Sequence, residues 1–170
     1  MPKGLKETSS LIAIGFSAVE SGPNTFTQAA VDLQLNPLDN EVFVVYAIDI
    51  DVRAPDAVAG VNTLMRSSVS TTNRTTIGDL ADSNVLSSSA REIRAAGFVD
   101  GGVAFTSGSN ESPATQLDYL GIIATNNFFI QVEGTANLIQ HSVQGKLYGV
   151  RARADANIFS ALVQSELLSA

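Results

Sequence analysis

Apolar residues occupy every even position of the run Glu41–Arg53, EVFVVYAIDIDVR: Val42, Val44, Tyr46, Ile48, Ile50 and Val52. The odd positions begin apolar (Phe43, Val45, Ala47) and end charged (Asp49, Asp51, Arg53). A period of two held this long, rich in β-branched residues, predicts a long strand. The pattern predicts one face buried along the whole strand. The other is buried only at its start, as if a second element or another subunit covers that end; if the chain self-assembles, Phe43 and Val45 are expected to cluster at a subunit contact.

The same reading extends along the chain. Residues 8–19 alternate as a first strand, and Ser21-Gly22-Pro23-Asn24 forms a turn. Residues 25–35 alternate again, with Ala29, Val31, Leu33 and Leu35 on one face, until Asn36–Asn40 breaks the chain. Ala54-Pro55-Asp56 ends the long strand, because proline has no N–H for a ladder. Ser67–Thr76 reads as an exposed or edge strand, and residues 77–90 as a long connection. Arg91–Ala96 reads as strand rather than helical turn. The segments Gly97-Phe98-Val99 and Val103-Ala104-Phe105 flank Asp100-Gly101-Gly102, which suits a hairpin turn.

Residues 107–116 read as a polar loop. Leu117–Ala124 and Phe128–Glu133 follow as strands, with turns at residues 125–127 and 134–137. Leu138–Arg153 makes one long strand or two shorter ones. In the tail, Ile158, Phe159, Leu162, Val163 and Leu167 fall at helical spacing behind Asp155, a candidate N-cap, although the same residues also fit a last strand. About eight short strands between turn signals predict an all-β fold, an antiparallel β-sandwich or barrel. The chain reads as one domain over residues 1–170, with an N-terminal arm at 1–7 and a C-terminal tail at 154–170.

Composition narrows the function. The chain has 170 residues, 45% hydrophobic and only 16% charged, against about a quarter charged in ordinary soluble domains. Such a surface is weakly defended against association. Cysteine is absent, which excludes disulfides and thiolate metal sites. Residues 11–19 alternate and contain Gly15 and Ser17, so they read as strand and not as a signal peptide. No stretch approaches the roughly 20 apolar residues of a membrane span. A net charge of −7 argues against strong nucleic-acid binding, which needs clustered cations.

Candidate chemistry is sparse. His141 is the only histidine, so any Ser-His-Asp triad must use it, yet it shares a strand-like face with Ile139 and Val143. Asp49 and Asp51 share a strand face about 7 Å apart. They are the candidate metal ligands, for an interfacial Ca²⁺ completed by Asp39 or Asp56, or a glycosidase carboxylate pair. The bland alternative is a solvated face with Arg53 as partner. No organic cofactor is expected. The arginine pairs Arg91/Arg94 and Arg151/Arg153 suit acidic neighbours. Asn73-Arg74-Thr75 and Asn110-Glu111-Ser112 match the N-glycosylation pattern at a frequency near chance.

Three stretches carry a resemblance: VFVVYAIDIDVRAP, SSVSTTNRTTIGDLADSNVL, and LGIIATNNFFIQVEGTANLIQHSVQGKLYGVRARAD. In texture and order the chain resembles the single jelly-roll capsid and virion structural proteins of prokaryotic viruses. The resemblance implies a jelly roll that self-assembles into the virion capsid, with copies of itself and other virion proteins as partners and no catalytic activity. It departs from relatives that carry a basic arm, since only Lys3 and Lys6 stand near the N-terminus. That suits a shell separated from the genome by another layer, or an outer decoration protein. The alternatives are a carbohydrate-binding or adhesive β-sandwich (a spike, fibre or decoration domain, with Asp49 and Tyr119 as candidate sugar contacts), and a small β-barrel enzyme.

Overall fold

The computed structural model describes residues 1–108 and 117–169. In chain order the strands are β1 (Leu5–Glu7), β2 (Ile12–Val19), β3 (Thr27–Asp32), β4 (Glu41–Val52), β5 (Thr63–Ser70) and β6 (Val85–Arg94). Then come β7 (Val103–Gly108), β8 (Gly121–Ile123), β9 (Asn127–Thr135), β10 (Ser142–Ala154) and the helix α1 (Ala156–Leu168). A 3-10 turn at Pro37–Asp39 precedes β4. Most of the polar loop expected at 107–116, with its Asn110 sequon, lies outside the described residues.

The topology follows from four antiparallel pairings: β2 with β10, β3 with β9, β4 with β8, and β5 with β6. These are the rungs of one long hairpin whose tip lies between β5 and β6. Rolling that hairpin up adds β10 against β4 and β9 against β5. Two sheets result, β2-β10-β4-β8 and β3-β9-β5-β6, with β1 continuing the β2 edge and β7 extending the second sheet. This is a single jelly roll, an antiparallel β-sandwich. Residues 5–7, expected as an arm, form β1.

Between the sheets lie Phe16, Phe43, Val45, Ile48, Ile50, Met65, Phe128, Ile130 and Leu147, among others. The Phe16 and Phe128 rings meet edge to face at 5.7 Å, a favoured aromatic arrangement.

No single face of β4 is buried throughout. Val45 faces Gly149 and Ala47 faces Tyr148, so Tyr46 is an extra residue, a β-bulge. One added residue exchanges the faces of a strand. Before the bulge Phe43 and Val45 point inward, and after it Ile48, Ile50 and Val52 do. The expectation that Phe43 and Val45 mark a subunit contact is thereby overturned, since both are enclosed in the inter-sheet core. Val42 and Val44 point outward instead, where α1 covers them with Ile158, Phe159, Leu162 and Val163.

The tail is therefore a helix, as its spacing suggested, and the second element over β4 is its own. Asp155 sits at the N-cap with extended backbone but makes no side-chain cap bond. Leu167 falls off the buried stripe and is exposed.

The Ser/Thr-rich segment is not an edge either. β5 lies between β9 and β6, and Ser67, Ser68 and Ser70 are fully buried. The connection after β5 folds back over them, with Gly78 N–H donating to Ser68 Oγ at 2.9 Å. Gln131 ties the layer together, accepting from Ser68 and donating to Ser70 and Gln28. Arg74 bonds Asn84 and Asp82, and its backbone N–H donates to Gln28. Buried hydroxyls are tolerated because each finds a partner. Residues 85–90, expected within the connection, belong to β6.

Candidate functional site

Beyond the bulge, the outward face of β4 carries Asp49 and Asp51, and neighbouring β10 and β2 supply Gln144, Lys146, Gly15 and Ser17. Together they line a shallow groove of about 820 Å³. Small residues on β2 leave the space, and the alternation of three strands sets the polar lining.

One of the groove's carboxylates is paired within the chain, and the other stands opposite a lysine in the strand register. Lys146 is the cross-strand partner of Asp49, and Gln144 that of Asp51. Asp51 Oδ1 also lies 3.1 Å from the Arg91 guanidinium of β6. The other aspartates proposed to complete a cation site are engaged elsewhere: Asp39 pairs with Arg153 at 2.9 Å, and Asp56 faces His141. Among the described residues no three His, Cys, Asp or Glu side chains converge on a common point. The arginine pairs do meet acidic neighbours, all in the same chain: Arg91 with Asp51, Arg94 with Glu92, Arg151 with Glu41 and Arg153 with Asp39. Arg53, expected as the partner of Asp51, lines an adjoining groove with Asp51, Arg91, Gln140 and His141, while the ion pair of Asp51 is with Arg91.

His141 precedes β10 and belongs to a knot of polar ties at one end of the sandwich. Asp56 Oδ2 accepts from the backbone N–H groups of Leu138 (2.7 Å) and Ile139 (3.1 Å). Its Oδ1 lies 3.3 Å from His141 Nε2, off the direction of a hydrogen bond. Burial pushes the Asp56 carboxyl up, but the two backbone N–H groups and the imidazole outweigh that and hold it below its ordinary value. Buried Glu20 accepts from Gly134 N–H at 2.6 Å and His141 N–H at 2.9 Å. Asn137 donates to the Leu64 carbonyl, and its own carbonyl accepts from Asn24. These contacts lock three loops to one another. Nε2, the atom a triad histidine turns toward its nucleophile, is buried against a carboxylate.

A third feature is apolar. The β6–β7 hairpin leaves Phe98, Val99, Val103 and Phe105 exposed, Val99 at 88%. The Arg94 guanidinium stands 5.5 Å above the Phe105 ring. Tyr119 lies just before β8 and does not line the Asp49 groove.

Sequence reasoning missed Glu20, Gln131 and Glu166, all buried. Glu166 offers the one legible signal, a carboxylate one turn beyond Leu162 and Val163 on the apolar stripe of α1. No protein-family model, curated protein or solved structure matches the chain.

Proposed function

We propose that the protein is a structural subunit of a virus particle, a self-assembling coat protein without catalytic activity whose partners are copies of itself and other virion proteins. The observation that carries this reading is the β6–β7 hairpin, which presents four large apolar side chains, Phe98, Val99, Val103 and Phe105, to solvent within eight residues. Exposed apolar side chains concentrated on one hairpin are a feature of interaction sites. The rest of the molecule is consistent with a building block. Asp51 of the groove is paired with Arg91, the loops are locked by polar ties, and the −7 charge suits a shell that does not grip nucleic acid. The jelly roll also serves lectins, so the fold alone does not choose between them. Electron micrographs of the concentrated protein test the reading: regular particles, rings or sheets are expected, and featureless fields at all concentrations contradict it.

One observation favours a carbohydrate-binding module instead. The groove offers Asp49, Gln144, Lys146 and Ser17 as hydrogen-bonding groups for sugar hydroxyls. Its one aromatic, Phe16, is buried in the core and gives no stacking platform. Glycan-array binding abolished by Asp49→Ala would establish this second reading.

A further inference from the structure

An edge strand exposes a row of unpaired N–H and C=O groups, and proteins that stay monomeric blunt such edges with charge, proline, bulges or brevity. Among the described residues, two edges have none of those defences. β7, at the end of the second sheet, reads VAFTSG and pairs with β6 without a register break. β2, at the edge of the first, reads IAIGFSAV and pairs with β10 over eight residues, also unbroken. Among the described residues neither strand has a ladder partner on its other side. The other edges are defended: β3 ends in Asp32, β1 carries Lys6 and Glu7, and β8 is three residues long.

The two open edges lie on opposite flanks. β2 packs over β3 and β9 at one side of the sandwich, while β7 lies beyond β6 at the other. We infer that the free edge of β7 on one copy pairs with the free edge of β2 on the next, joining copies head to tail by strand addition.

Electrostatics select a second copy as the occupant. Two chains of charge −7 repel, and that repulsion is least aggravated by a contact without like charges at close range; these fourteen strand residues hold no ionisable side chain. A foreign strand needs one open edge, whereas a repeating contact needs two of matching chemistry on opposite flanks. Side chains fit as well: residues 103–107 are exposed on both faces, and β2 presents Ala13, Gly15 and Ser17, small enough for a neighbouring strand to approach. Head-to-tail contacts of this kind close into rings or extend into lattices.

The inference rests on the self-assembly reading above, and one set of variants separates the two. Thr106→Lys on β7 and Ala13→Lys on β2 each place a charge on one open edge at an exposed position. Wild type is expected to form oligomers that grow with concentration, and each variant alone to remain monomeric under the same conditions. An equimolar mixture should give 1:1 dimers that grow no further, because one open edge of each kind survives. Ala104→Lys and Ser17→Lys are the second pair, should either first variant lose its circular-dichroism signature of folding. Variants that assemble like wild type, a mixture that stays monomeric, or a variant that dimerises alone would each overturn the head-to-tail pairing while leaving self-assembly standing. A wild type that never associates would remove self-assembly itself.

Discussion

The Glu166 carboxylate of α1 accepts a 2.9 Å hydrogen bond from the backbone N–H of Ala124, the residue that follows β8. Its second oxygen accepts from Thr125 Oγ1 at 2.6 Å. A helix held otherwise by apolar contacts is thereby positioned along its axis. Replacing Glu166 with alanine leaves the Ala124 N–H buried without its partner, at a cost of about 1–3 kcal/mol in urea unfolding. Glutamine keeps an acceptor and is expected to cost less.

Burial raises the Glu166 carboxyl, against the pull of Thr125 and Ala124, and the net shift is upward. Between its ordinary value and the raised one, the folded state holds the proton more tightly than the unfolded state does. Stability from this residue is thus fully present below the ordinary glutamate range and declines as pH rises through that window. Unfolding free energies measured across mildly acidic pH should show this decline in wild type and lose it in Glu166→Gln.

Asp56 behaves oppositely. Its carboxyl is held low, so the unfolded state binds the proton more readily, and its stabilising contribution is present above the ordinary aspartate range. That contribution is lost as pH falls through the lowered folded value. Asp56→Asn should flatten the acid limb of the stability curve. His141→Ala should leave assembly unchanged, because its ring is engaged with Asp56 inside one chain.

The bulge at Tyr46 gives a steric prediction. A Cβ on Gly149 would strike the Val44 carbonyl and the Phe43 ring. Gly149→Ala is expected to cost about 1–3 kcal/mol by overpacking, read as a lower unfolding midpoint.

Phe128 has no exposed surface and packs on Phe16. Phe128→Ala should cost about 3–5 kcal/mol. A double-mutant cycle with Phe16→Ala should return a coupling of about 0.5–1.5 kcal/mol.

Strands, turns and fold class were legible because alternation and turn residues are local signals. The bulge was not: the even positions of Glu41–Arg53 stay apolar across it, since Val42 and Val44 meet α1 while Ile48 and Ile50 meet the inter-sheet core. β5 was misplaced at an edge because its serines look solvated in sequence. One partner, Gln131, comes from a distant strand, and the other, the 71–84 connection, covers them only by folding back over β5. Asp49 and Asp51 do line one groove, as their shared face implied. The placement of Asp49 opposite Lys146 and the ion pair of Asp51 with Arg91 depend on strand order and sheet stacking, which alternation does not encode.

Self-assembly is the central claim, and light scattering coupled to gel filtration across a wide range of protein concentration tests it most directly. A molar mass that climbs with concentration in multiples of the 17.8 kDa chain is the expected result. A mass fixed at one chain throughout would contradict the account.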